Sequence, residues 1–103
     1  MIRHCVFVKF RADVSAAERA EMYAGLNALV GQIEGLMSAD FGLNISPEGV
    51  SQGFNDGFIM DLADEAARDR YLVDPAHKAA GARLVAALEG GRDGIMVFDL
   101  QVN

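Results

Sequence analysis

Two tyrosines and two histidines carry most of the chemistry this chain could perform. Tyr71 and His77 stand six residues apart, with Asp74-Pro75 between them. A neutral imidazole accepts protons near pH 7 and a phenol donates a hydrogen bond, so the pair has the make-up of a general base and its donor. The other reading of His77 is local, as a ring that packs and steadies the Asp74-Pro75 turn. His4 sits within an apolar run, Ile2 to Phe10, and Asp56 within another, Phe54 to Leu62. Each is either a polar group facing a cavity or a satisfied strand residue. A metal would need His4, His77, Asp56 and Cys5 to converge, and these are scattered without ligand spacing, so no metal is expected. No Walker-type loop or dinucleotide fingerprint is present, Gly90-Gly91 reads as a turn, and no cofactor is expected.

The elements that must position these groups follow from periodicity. Ile2 to Phe10 alternates as a strand, with Ile2, His4, Val6, Val8 and Phe10 on one face and Arg3, Cys5, Phe7 and Lys9 on the other. Ser15 and Glu18 form a capping box for a helix whose stripe is Met22, Tyr23, Leu26, Leu29, Val30 and Ile33, ending at Gly35. Met37 to Ile45 and Phe54 to Leu62 are further strands, joined through the turn residues Ser46-Pro47-Glu48-Gly49. Asp64 caps a short helix bearing Tyr71. Asp74 and Pro75 interrupt and restart it, Asp as N-cap and Pro in the first helical position. His77, Ala80, Gly81, Leu84, Val85 and Leu88 then keep helical spacing, which puts His77 on the buried stripe. A last strand, Ile95 to Val102, is apolar on both faces.

The order βαββαβ predicts an α+β, ferredoxin-like fold: a four-stranded antiparallel sheet with its helices on one face, in one domain spanning 1–103. The uncovered face of such a sheet should be polar in a monomer. Here the first and last strands are apolar on both sides, which predicts a symmetric homodimer, sheet against sheet. Composition agrees, since 51% hydrophobic residues is a high share for 103 residues. Nine Lys and Arg against 15 Asp and Glu give a net charge of −6, so no nucleic-acid or anionic membrane partner is expected. The single cysteine, Cys5, excludes an intrachain disulfide and reads as a small strand hydrophobe. With no membrane-spanning run, the expectation is a soluble cytoplasmic protein.

Four short motifs, in order, resemble the stress-responsive A/B barrel family. Ile2-Arg3-His4-Cys5-Val6-Phe7-Val8-Lys9-Phe10 is similar to its opening strand. Gly53-Phe54-Asn55-Asp56-Gly57-Phe58 is similar to its middle strand, Tyr71-Leu72-Val73-Asp74-Pro75-Ala76-His77 to its "Tyr-x-x-His-Pro-x-His" segment, and Phe98-Asp99 to its close. The resemblance implies a dimeric α+β barrel. It also implies, from the plant polyketide cyclase of the family that makes olivetolic acid, that Tyr71 and His77 occupy the positions of a catalytic Tyr/His pair. Asp56 and Asp74 depart from the pattern, each standing where a histidine is usual. By the same resemblance Met22, Tyr23, Leu26, Phe58 and Leu88 would line an apolar pocket between helices and sheet, with ordinary core packing as the alternative. The functions implied are binding of a small apolar or aromatic molecule, with or without cofactor-free cyclase- or lyase-like chemistry. The alternatives are a non-catalytic stress-response dimer and, more distantly, a quinol- or haem-acting monooxygenase.

Overall fold

Branched and aromatic side chains favour extended backbone, and Val and Phe recur through the first segment. The computed structural model, which describes residues 1–103, places β1 there at Ile2–Val8. After it come α1 (Ala16–Asn27), β2 (Leu36–Leu43), β3 (Asp56–Leu62), α2 (Glu65–Val73), α3 (Pro75–Ala86), a 3-10 turn (Gly91–Gly94) and β4 (Ile95–Gln101). The strands make one antiparallel sheet in the order β2-β3-β1-β4, which is the ferredoxin-like βαββαβ arrangement. β1 is central: Val6 lies opposite Phe58 of β3 on one side and Val97 of β4 on the other.

The even-numbered side chains of β1 and β3 face the helices. Ile2, Val6, Val8, Phe58, Met60 and Leu62 are buried there with Met22 and Leu26 of α1, Ala67 and Tyr71 of α2 and Leu84 of α3. Local chemistry sets where the helices start. Ser15 and Glu18 close the capping box on α1. At the start of α2 the Ala67 amide donates to Asp64 at 2.8 Å. Gly35 turns the chain toward β2 at φ 88°, and a Cβ there would stand 2.4 Å from that of Ala67, so glycine lets α2 close onto the sheet.

Element ends differ from the sequence expectation in places. The stripe from Met22 to Ile33 predicts a helix running to Gly35, but α1 ends at Asn27. Residues 28–35 continue as turns, because Gly31 takes φ 87°, outside the right-handed helical region. Three-residue hydrogen bonds such as Leu29 to Leu26 and Gln32 to Leu29 preserve much of the helical spacing. Leu29 and Ile33 therefore still reach the core. β1 stops at Val8 and not at Phe10, and β3 starts at Asp56 and not at Phe54. β2 is displaced one residue toward the N-terminus at its start, and α3 ends at Ala86, two residues before Leu88.

The other sheet face carries no helix. Phe7, Ile59, Met96, Phe98 and Leu100 lie on it, and Phe98 is 44% exposed. Phe7 and Phe98 touch at 5.9 Å between ring centroids, with Cys5 almost wholly buried beside them. Arg3 and Asp61, cross-strand neighbours, form an ion pair at 2.9 Å on the same face. No helix of the chain is long and apolar enough to cross a membrane.

Candidate functional site

Register places the first polar contact. His4 of β1 lies opposite Asp99 of β4, and both point toward the helices. His4 Nδ1 is 2.7 Å from Asp99 Oδ1. An ionised carboxylate only accepts, so Nδ1 carries the proton and the ring orientation is fixed, leaving Nε2 as the second nitrogen. Arg68 of α2 donates from Nη1 to Asp99 Oδ2 at 2.9 Å. Burial alone would push the Asp99 carboxyl up. The hydrogen bonds from His4 and Arg68, with their charges, outweigh it and hold the group below its usual value.

Tyr71 follows Arg68 by three residues on α2 and so falls on the same helical side. Its ring meets His4 edge-on at 5.5 Å and lies against His77 at 3.8 Å with a 34° tilt. Six residues along an unbroken helix would leave two side chains ~120° apart around the axis. The break at Asp74-Pro75 removes that obstacle. Asp74 is in extended backbone, and its carboxylate takes the Ala76 and His77 amides at 2.9 and 3.1 Å, starting α3 in a new direction. His77 thereby returns over Tyr71.

The three rings line one wall of a cleft of about 690 Å³ between α2, α3 and the sheet. Leu26, Phe58, Leu84, Ile95 and Val97 supply apolar surface. The volume falls in the usual range for small-molecule sites. Only two buried side-chain polar atoms in the chain lack a hydrogen-bond partner, His77 Nδ1 and Tyr23 Oη. Burial pulls the His77 imidazole below its ordinary value, the neighbouring His4 adds to this, and Asp74 opposes it. The carbonyls of Tyr71 and Leu72 also favour the imidazolium, yet neither is placed to accept from Nδ1. Burial pushes the Tyr71 hydroxyl well up, so it stays protonated. The arrangement thus sets a neutral imidazole beside a phenol that can only donate or accept a hydrogen bond.

The remaining sequence candidates lie elsewhere. Leu26 and Phe58 line the cleft, whereas Met22 and Leu88 are core residues that do not reach it. Tyr23 sits in an aromatic nest with Phe10, Phe41 and Phe58, at 5.9, 4.7 and 5.9 Å between centroids. Burial, with the Asp56 charge, pushes its hydroxyl up to about 12. Asp56 lines a different hollow of about 500 Å³, formed by Phe7, Phe41, Val50, Phe54, Ile59 and Met96 under the loop joining β2 to β3. No three His, Cys, Asp or Glu side chains come together as a metal-holding group, and Cys5 is on the opposite sheet face from His4.

The sequence pattern of the Stress responsive A/B Barrel Domain matches residues 2–102. The chain belongs to this family. The stress-response A/B barrel domain-containing protein HS1 of Arabidopsis thaliana is 26% identical over 98 residues, spanning 95% of this A/B barrel chain and 86% of that protein. Among solved structures, a dimeric ferredoxin-like protein of unknown function from Jannaschia sp. CCS1 superposes with a TM-score of 0.90 at 35% identity, covering 98% of both chains. The hydroxynitrile lyase of Passiflora edulis superposes at 0.86 with 18% identity, covering 99% of this chain and 93% of its own, which shows the shared fold.

Asp99, Arg68, Lys78 and Arg92 are the site residues that sequence reasoning missed. The signal for Asp99 was a lone carboxylate in an apolar strand, on the face that holds Ile95 and Val97. Arg68 carried the helical signal, three residues ahead of Tyr71.

Proposed function

We propose that this A/B barrel protein is a homodimer that binds a small apolar or aromatic molecule in the helix–sheet cleft and acts on it by cofactor-free acid–base chemistry. His77 is the proton acceptor and Tyr71 the hydrogen-bond donor, in a cyclase- or lyase-like step. The observation that carries this is the His77 ring, its Nδ1 buried without a partner, lying against Tyr71 in a cleft of ligand size. A buried polar atom without a partner is costly, so packing alone does not account for the His77 ring.

The dimer rests on the apolar sheet face, and relatives of the same fold described as dimeric support it. That a hydroxynitrile lyase shares the fold supports lyase chemistry on this scaffold. A single buried thiol suits a reducing compartment, the cytoplasm. The burial of Tyr71, 1% exposed, favours a second reading in which the three rings only pack and the protein is a non-catalytic stress-response dimer.

A thermal-shift screen of small aromatic and alkyl compounds, repeated on His77→Ala and Tyr71→Phe, tests the site. Hits whose shifts shrink in both variants support it. Equal shifts in all three proteins overturn it.

A further inference from the structure

Nine basic side chains are set against 15 acidic ones in this chain, so a free cation is the exception. Seven of the nine are engaged. Arg3 pairs with Asp61, Arg11 with Asp13, Arg68 with Asp69 and Asp99, and Arg83 with Glu21. Arg70 donates to the Glu34 carbonyl, Lys9 covers the Phe54 ring and Arg19 the Phe10 ring. The two left over are Lys78 and Arg92, and both line the cleft that holds His4, Tyr71 and His77. No Asp or Glu lines it.

They reach it from different elements. Lys78 follows His77 in the first turn of α3, and Arg92 stands in the 3-10 turn that feeds β4. The cleft wall between them is apolar. A net charge of −6 would ordinarily place acidic groups around any opening, repelling anions. Here the local sign is reversed. Arg offers a planar fork of donors matched to a carboxylate and Lys a compact charge, whereas a neutral hydrocarbon gains nothing from either.

We propose that the ligand of the cleft is an apolar carboxylate: an aromatic or alkyl body against Leu26, Phe58, Leu84 and Val97, with its carboxylate drawn by the positive charge that Lys78 and Arg92 bring to the cleft lining. This rests on the cleft being a binding site, and it names the class of molecule bound there.

The probes are 2-naphthoate and decanoate with their uncharged amides, titrated calorimetrically into the wild-type protein, Lys78→Met and Arg92→Gln. Both substitutions are on exposed side chains outside the core, and circular dichroism checks that the fold is kept. The acids should bind about tenfold more tightly than the amides, as loss of a charge-assisted contact implies. That advantage should shrink when salt rises from about 50 to about 500 mM. Each variant should bring acid affinity toward that of its amide while leaving amide affinity unchanged. Equal binding of acids and amides, or acid binding untouched by both variants, overturns the anion assignment and leaves the cleft as an apolar site. Binding by none of the four probes overturns both.

Discussion

His4 and Asp99 meet across the β1–β4 pairing at 2.7 Å, so a histidine near one end of the chain is oriented by a carboxylate near the other. Arg68 holds the second oxygen of that carboxylate, tying α2 to the same joint. Replacing Asp99 with Ala leaves the buried His4 Nδ1 donor without a partner and frees Arg68. The expected loss is about 1–3 kcal/mol of folding stability, read by urea denaturation, with Asn losing less because its amide oxygen still accepts. A loss under a few tenths in both variants would mean the contact contributes nothing.

The same carboxylate gives an acid-side signature. Its folded value lies below the ordinary 3.8, so the unfolded chain takes up the proton first as pH falls. The stability it contributes is present above about pH 4 and is lost as pH drops through the lower folded value. In Asp99→Asn the denaturation midpoint should fall less steeply with pH below 4, and identical slopes would refute the linkage.

His77 titrates below its ordinary 6.5. Between 6.5 and the folded value the unfolded chain binds more protons than the native one, so stability decreases as pH falls through this window. His77→Gln should flatten that segment. Histidine NMR titration of the wild type should place the His77 midpoint below 6.5, and any activity depending on it as a base should have its acid-side midpoint shifted the same way.

Asp74 controls where His77 stands. Its side chain caps α3 through the Ala76 and His77 amides. Asp74→Ala should cost about 1 kcal/mol, the usual value of an N-cap. Ligand shifts should diminish with it as the His77 ring loses its place over Tyr71. Unchanged ligand shifts alongside lowered stability would separate capping from positioning.

The uncovered face is tested by Phe98→Glu. Phe98 is 44% exposed, so a charge there is tolerated by a lone subunit but not inside a sheet-to-sheet contact. Sedimentation should show the wild type as a dimer at micromolar concentration and the variant as a monomer. A wild type that is monomeric at that concentration would sink the dimer.

Much of the fold was legible because its signals are local. The Ser15 box, the Asp64 cap and the Asp74-Pro75 restart each depend on residues within a few positions, and each is where the spacing predicts. The two-faced apolar strands likewise showed that the side of the sheet without helices would be apolar, though not which side that is. The end of α1 was not legible, because buried spacing near 3.6 survives in a run of tight turns. The Tyr71–His77 contact could be anticipated from the broken helix. The His4–Asp99 contact could not, since only the register of strands 95 residues apart in sequence creates it. Tyr23 and Asp56 were singled out as binding groups through the positions they match in the family pattern, and such a match does not say which hollow a side chain faces.

β1 presents His4 and Val6 to the cleft and Cys5 and Phe7 to the opposite face. Successive residues thus serve different surfaces. A slip of one residue in its pairing would exchange them, sending Cys5 among the helices and His4 out to the uncovered side. The lining of the cleft and the make-up of the uncovered face are therefore encoded in a single strand alignment, and neither can be altered by shifting that strand without undoing the other.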